Sequence, residues 1–388
     1  MINEVMKKKA LFVATIYDFL DGFEANNMEI LQNMGYEVHC IANPYVDQIP
    51  GNPKVETPNI NKLGGVVKHG WRCARSPYDK NNIIAFRQLK ALLKKENFDL
   101  VHCHTPMGGV LARLACEPYR KKGMKVIYTA HGFHFYDGAP RKNWLVYYPI
   151  EKELSRITDV IINITEEDYN RARNEFHAGK VCYVPGIGVD IKKFQNDIPE
   201  QDIIEIRKQL GVPNNYIALF SVGELNDNKN HETVIRALAK LKQKNVFYSI
   251  AGNGPKQEYL EQLIVDLGLN DRVRLLGYRE DVSNLYKAAD IYVHPSFREG
   301  LSVATMEAMA SGLPVINGRI RGNVDLIDEN GGILFDPSSV QDCVAAIERM
   351  ILMSKEERSR MGAYNQSKIK KFGKENVSKL MHDIYASF

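Results

Sequence analysis

The sequence has little net charge, no closely paired cysteines and no apolar run of membrane-spanning length. Each absence narrows what the chain can do. Its formal net charge is +4 over 388 residues. Nucleic-acid binding calls for a concentrated basic footprint, so this excess points away from DNA and RNA as partners. The 6 cysteines, at 40, 73, 103, 116, 182 and 343, never fall at Cys-x-x-Cys spacing, which argues against a zinc ribbon or a dithiol redox site. Cys103 and Cys182 lie in strand-like runs and read as buried hydrophobes. A reducing, cytoplasmic compartment is the expectation. No run approaches the ~20 apolar residues that cross a bilayer. The polar start, Met1 to Lys9, lacks the apolar core of a secretory signal, so any membrane contact is expected to be peripheral. No Gly-x-Gly-x-x-Gly follows the first expected strand, which disfavours a nicotinamide oxidoreductase. No Asp-x-Asp occurs, so no carboxylate pair is laid out to carry a ligand-bound divalent ion. Short repeats and low-complexity segments are absent.

Hydrophobic residues make up 44% and charged residues 25%, ordinary values for a soluble globular protein. The length predicts two domains, at about 100–200 residues each. Short β-rich apolar runs alternate with amphipathic stretches of helical length. Strands are expected at Leu11–Ala14, Glu37–Ala42, Leu100–His104, Val126–Ala130, Val160–Ile164 and Val181–Val184. The alternation pauses at the glycine-rich Pro185–Asp190 and a polar stretch to about Pro199, where the domain junction is placed. A second series follows, with strands at Ile217–Val222, Phe247–Ala251, Val273–Leu276, Ile291–Val293, Val315–Ile316 and Ile333–Phe335. This predicts an α/β protein of two Rossmann-like, doubly wound domains facing across a crevice. The boundaries are 1–190 and 191–373, with a last helix at about 374–388 packing back on the first domain. Chemistry is then sought in the loops after strands, where open α/β sheets bind ligands.

Basic residues crowd one stretch: Lys62, Lys68, Arg72, Arg75, Lys80, Arg87, Lys90, Lys94 and Lys95, then Arg113, Arg120, Lys121 and Lys122. They read either as solvated helix faces or as a surface leaning on anionic lipid headgroups.

The most specific segment runs from His294 to Val315 and reads strand, loop, helix, turn, strand. Glu299 lies in the loop and Glu307 on the helix. Between them Gly300, Leu301 and Ser302 offer backbone N–H groups at a helix start, which attracts a diphosphate through its orphan donors and dipole. The flanking carboxylates are suited to sugar and ribose hydroxyls. Here the sequence resembles the family-4 retaining glycosyltransferases of GT-B fold, whose Glu-x7-Glu motif falls on Glu299 and Glu307. The resemblance implies that Glu299 holds the donor sugar and Glu307 the ribose.

Further segments match in order and spacing. Ser221 to Asn230 follows a strand, and the family carries there an Arg after Gly223 and a Lys five residues later. Lys229 matches, but Glu224 stands where the Arg is expected. Arg298 or Arg321 could supply the missing charge. Gly252-Asn253-Gly254 permits close backbone approach, and Tyr278-Arg279 matches the segment near the base. Asp281 could simply cap the helix after it. In the first domain, Thr129-Ala130-His131-Gly132 ends a strand, and the family's His-Gly there places His131 at the transferred sugar.

His102 and His104 share one strand face and invite a metal reading, but no third ligand follows at a convincing spacing. No metal and no cofactor are therefore expected. His104, Gly108, Gly109 and His134 are assigned to the acceptor side. The glycine pair usual after the family's first strand is replaced by Phe19-Leu20-Asp21-Gly22-Phe23.

The resemblance spans nearly the whole chain and is nearest to bacterial capsular and exopolysaccharide transferases. It implies a metal-independent hexosyl- or N-acetylhexosaminyl-transferase using a nucleotide sugar, UDP-linked, and a glycan acceptor on polyprenyl diphosphate. It also implies a place on the inner face of the membrane. The acceptor hydroxyl would attack on the front face, with His131, Lys229 and Glu299 as the catalytic residues and neither glutamate as nucleophile. Lys229 and the N–H groups of Gly300 to Ser302 would stabilise the departing diphosphate. A sugar-nucleotide epimerase or phosphorylase on the same fold, or a non-catalytic scaffold subunit, are the alternatives.

Overall fold

A computed structural model describes residues 7–44 and 64–388. Lys62 and the first six residues lie outside the described part. The chain divides into two units, residues 1–187 with 377–388, and residues 188–376.

The first unit holds seven parallel strands: β1 (Lys9–Ile16), β2 (Glu37–Asn43), β3 (Val67–Gly70), β4 (Leu100–His104), β5 (Lys125–Ala130), β6 (Val160–Asn163) and β7 (Lys180–Tyr183). Their order is β3-β2-β1-β4-β5-β6-β7. The interior of β1 and all of β4 and β6 are buried, as strands covered by helices on both faces must be. Two core clusters form, one per sheet face. Val377, Met381, Ile384 and Tyr385 of the helix Lys374–Tyr385 belong to the second of them. The edge strand β3 was not foreseen: its Val-Lys-His-Gly carries a single aliphatic side chain and is nowhere buried.

The second unit holds six parallel strands: β8 (Ile217–Val222), β9 (Val246–Ala251), β10 (Val273–Leu275), β11 (Ile291–His294), β12 (Val315–Gly318) and β13 (Gly332–Phe335). Their order is β10-β9-β8-β11-β12-β13. In each unit the winding reverses between two central strands, β1/β4 and β8/β11. Such switch points open a crevice at the carboxyl ends of the strands. Helix Glu200–Leu210 lies just beyond the stretch read as polar. Its C-terminus is closed by Gly211 at φ 76°, a left-handed cap.

Arg113 corrects the basic stretch. It is fully buried, 2.8 Å from Glu151, with its guanidinium 3.9 Å from the Tyr128 ring centre. The helix Pro106–Arg120 that carries it presents this face to the core, so Arg113 belongs to no surface. Arg72, Arg75, Lys80, Arg87, Lys90, Lys94, Lys95, Lys121 and Lys122 are exposed. Among the described residues no helix is long and apolar enough to cross a membrane.

Candidate functional site

In the second unit, two loops meet at the β8/β11 switch point. The loop after β8 is stitched to the loop after β11. Phe297 N–H donates to the Asn228 carbonyl at 2.8 Å, and Asn228 Nδ2 donates to the Arg298 carbonyl at 2.9 Å. Asn230, at φ 55°, donates through Nδ2 to the carbonyls of Pro295 and Pro337 at 3.0 and 2.9 Å. These bonds set Lys229 against Glu299, with Nζ 2.7 Å from Oε1. The same oxygen lies 3.0 Å from His294 Nε2. A carboxylate only accepts, so His294 carries its proton on Nε2, and Nδ1 accepts from the Tyr292 hydroxyl at 3.1 Å.

Burial works to raise the Glu299 carboxyl, but the bonds and charges of His294 and Lys229 outweigh it and hold it well below the usual carboxylate range. His294 is fully buried, which keeps its imidazole below its ordinary value despite Glu299. The pair is thus an ionised carboxylate on a lysine ammonium, with His294 donating to the same oxygen.

The helix Val303–Ala310 starts immediately after this loop. Ser302 caps it, its hydroxyl accepting from Thr305 N–H at 3.2 Å. Other first-turn N–H groups have no partner within the helix. Leu301 and Ser302 are buried, and the backbone at Gly300 rests on Gly322. Glu307, one turn on, accepts from the Tyr286 hydroxyl at 3.1 Å. Burial raises its carboxyl above the ordinary value, with Tyr286 and Lys193 pulling the other way.

The remaining residues read from sequence fall differently. A Cβ on Gly223 would meet Lys229 Cδ at 3.3 Å, so this glycine sits beneath the lysine stem. Gly252 and Gly254 do require close backbone approach, but to the neighbouring loop: a Cβ on them would stand 2.0 Å from the Gly223 carbonyl and 2.5 Å from that of Leu225. The Asn253 carbonyl takes Leu225 N–H at 2.9 Å. Tyr278 is exposed. Arg279 is committed to Asp281 through Nε at 2.7 Å, and Asp281 makes no capping bond. Glu224 is exposed and accepts from Asn226. Arg298 is exposed and Arg321 is buried.

In the first unit, His104 ends β4 and His131 directly follows β5. Residues Tyr17–Phe19 and the π-helical turn Leu20–Glu24 follow β1, where the glycine pair was expected. That turn swings Glu24 inward. Its Oε1 lies 3.3 Å from His104 Nδ1 and 3.4 Å from His131 Nε2. Together the three offer one metal-ligating atom each, all within 4.8 Å. His102, which the sequence paired with His104 on one strand face, is not among the three. His102 is spent elsewhere, between the Tyr385 hydroxyl and Thr129 Oγ1, both at 2.8 Å.

The residues assigned to the acceptor side fall in two groups. His104 is fully buried. A Cβ on Gly108 would stand 2.7 Å from Thr105 Oγ1, and one on Gly109 2.5 Å from the Tyr128 ring. Both glycines let the helix Pro106–Arg120 pack tightly against its neighbours. His134 borders a largely apolar cavity of about 600 Å³ walled by Phe19, Tyr78, Met107, Val146 and Ile150.

Comparison with known proteins follows the same division. The family description "Glycosyltransferase Family 4" matches residues 28–193 and "Glycosyl transferases group 1" matches 202–368. The chain is 37% identical to EpsD of Bacillus subtilis (strain 168), which carries the name of a glycosyltransferase by assignment, over 99% of this chain and 97% of the relative. It is 33% identical to the UDP-Gal:alpha-D-GlcNAc-diphosphoundecaprenol alpha-1,3-galactosyltransferase of Escherichia coli, over 68% of each chain. The crystal structure of Anabaena Alr3699/HepE in complex with UDP shares the fold, with a TM-score of 0.76 at 19% identity, over 99% of this chain and 100% of that one. The chain is a glycosyltransferase and belongs to the family-4 enzymes of GT-B fold.

Proposed function

We propose that the chain transfers a hexose or N-acetylhexosamine from a UDP-sugar, with retention, to a lipid-linked glycan in extracellular polysaccharide assembly. The observation that carries this reading is the Lys229–Glu299 contact of 2.7 Å at the start of helix Val303–Ala310. A cation, a helix N-terminus and an ionised carboxylate converge there. The cation and the helix start suit a diphosphate. Both bonds to Glu299 fall on Oε1, so Oε2 is left for a sugar hydroxyl. Glu307, steadied by the Tyr286 hydroxyl, takes the ribose. The second unit is read as the donor domain and the first as the acceptor domain. Arg298, exposed next to Glu299, takes the role of the arginine that Glu224 displaces. His131 contacts the transferred sugar, and the acceptor hydroxyl attacks on the front face.

The relatives' names support donor and acceptor classes: one neighbour was crystallised with UDP, and one relative acts on a diphosphoundecaprenol-linked sugar. The membrane reading now centres on the helix Arg141–Ser155. Its exposed stripe begins with Arg141 and Lys142 and continues through Leu145, Val146, Pro149 and Ile150, with Leu145 78% exposed. Such a helix lies in a headgroup layer, and it borders the apolar cavity that would receive the acceptor lipid.

The test is a mass-spectrometric screen of UDP-sugars against a short polyprenyl-diphosphate sugar, with the anomeric configuration read by NMR. A product with inverted configuration removes the retaining mechanism. No UDP binding by calorimetry removes the donor assignment. Vesicle binding should fall with added salt and with Leu145→Asp; binding that ignores both removes the membrane contact.

A further inference from the structure

We propose that Glu24 is a positioning residue for His131. It holds the imidazole with Nε2–H towards the carboxylate, so that the unprotonated Nδ1 meets a hydroxyl of the transferred sugar. This deepens the reading of His131 as the sugar contact and rests on it. Glu24 Oε1 lies 3.3 Å from His104 Nδ1 and 3.4 Å from His131 Nε2, and the two nitrogens are 3.4 Å apart. A carboxylate oxygen only accepts, so a bare ring nitrogen facing it would set lone pair against lone pair. Each ring therefore turns an N–H to Oε1. Two donors crowding one oxygen account for contacts longer than a single charge-assisted bond.

The proton on His104 can be placed separately. The ring is fully buried, and burial, with His102 and His131, holds its imidazole well below the ordinary value. A neutral ring has one N–H to place. Nε2 has no partner, and a buried N–H left unpaired is rarer than a bare acceptor. The proton therefore sits on Nδ1, on the Glu24 side. Were His131 Nε2 to accept it, the His131 lone pair would face the carboxylate as well. The bare Nε2 also sets the cluster apart from a metal centre, where a ligating imidazole donates its other N–H outward.

Every member of the cluster except His131 is itself pinned. Glu24 is 1% exposed, and its Oε2 accepts from Asn27 Nδ2 at 2.7 Å. His104 is wedged between Phe12 and His102, with centroids at 5.9 and 4.1 Å. His102 is tied in turn to Tyr385 and Thr129. Phe19 meets the His131 ring edge-on at 4.8 Å. One edge of that ring is thus fixed. At the other, Nδ1 has no hydrogen-bond partner among the described residues, and 18% of the side chain is exposed. The ring borders a cavity of about 180 Å³ that shares Phe19, His134 and Tyr147 with the larger apolar one. A bare Nδ1 there accepts from a hydroxyl, and a ring that cannot turn holds that hydroxyl in one pose. Such orientation is worth rate rather than nucleotide affinity.

The test uses the full chain. Long-range ¹⁵N–¹H NMR with labelled histidine, His131 being assigned by its loss in His131→Ala, should show a proton on Nε2. A parent with Nε2 bare overturns the proposal, and this reading needs no variant to fold. Glu24→Leu should release the ring into both tautomers and lower kcat by about 10²-fold. Its Kd for UDP by calorimetry should not change, since UDP carries no sugar. Glu24→Gln keeps a carbonyl oxygen in place, with Asn27 turning its amide to match, and should recover most of the turnover. His131→Ala should lose as much as Glu24→Leu, and the double variant no more than His131→Ala alone, because the two residues act as one unit. Additive losses, a weakened Kd for UDP in Glu24→Leu, or parental turnover by Glu24→Leu while His131→Ala fails, overturn the positioning role alone. Parental turnover by His131→Ala removes the sugar-contact reading instead.

Discussion

Removing either member of the Lys229–Glu299 pair should have opposite effects on nucleotide binding and similar effects on turnover. The ammonium and carboxylate are 2.7 Å apart, with side-chain exposures of 25% and 14%. A pair this sheltered stands above the usual exposed ion pair, so its net worth is about 1 kcal/mol. A diphosphate must draw Lys229 away from Glu299 and forfeits that amount. In Glu299→Gln the lysine is released, and UDP should bind up to about fivefold tighter. Transfer should still collapse, because the amide cannot accept from the sugar hydroxyl as a carboxylate does. In Lys229→Ala the diphosphate loses a preorganised cation, and kcat should fall by about 10²–10³. Calorimetry with UDP and a radiolabelled transfer assay read the two effects separately. Should Glu299→Gln weaken UDP tenfold, the lysine is not held back by the carboxylate and the charge argument fails. Should Lys229→Ala keep kcat within threefold of the parent, the lysine is merely a counter-ion of Glu299.

Gly322 sits at φ 80°, and a Cβ there would stand 1.5 Å from the Gly300 carbonyl. Gly322→Ala should therefore displace the loop that carries Glu299, abolishing UDP binding by calorimetry and costing about 1–3 kcal/mol from backbone strain alone. Arg113 and Glu151 are a buried pair at 2.8 Å; Arg113→Met leaves a buried carboxylate without its cation and should cost about 3–5 kcal/mol in urea unfolding, whereas a double change to Met and Leu should recover most of it. His231 is fully buried, and burial, with His294 and Lys229, lowers its imidazole to about 3. The unfolded chain then binds more protons below about pH 6.5, so this contribution is complete above that value and is lost as pH falls towards 3. Stability should drop by about 2 kcal/mol between pH 8 and pH 5 from this group alone, and His231→Asn should flatten that slope in urea titrations.

The two families of interaction that make up the candidate sites differ in how far they could be read in advance. The strand–loop–helix from His294 to Val315 declared itself because every part of it is local: a four-residue strand, a glycine, a serine cap and a helix start. A local pattern also placed the loop after β8, and the hydrogen bonds from Asn228 and Asn230 to the neighbouring loop explain why Lys229 lands on Glu299. The glycines around it were legible as close approaches, yet what they approach is another loop, and only the packed sheet determines that. Glu24 was not legible at all. It lies 80 residues before His104 and 107 before His131, and a contact between segments that far apart leaves no local pattern. Its place depends on a π-helical turn, and the one available signal was a departure, Phe19-Leu20-Asp21-Gly22-Phe23 in place of a glycine pair. With glycines there, the backbone would pass close to the strand ends. Here Phe19 packs edge-on to His131 at 4.8 Å and stacks on Phe23 at 5.0 Å, and the turn they line carries Glu24 to the two histidines. Replacing Phe19 by alanine would therefore loosen the turn, and it should cost about 1–3 kcal/mol in urea unfolding of the full chain. If Phe19→Ala leaves the urea midpoint unchanged, the ring does not hold the turn.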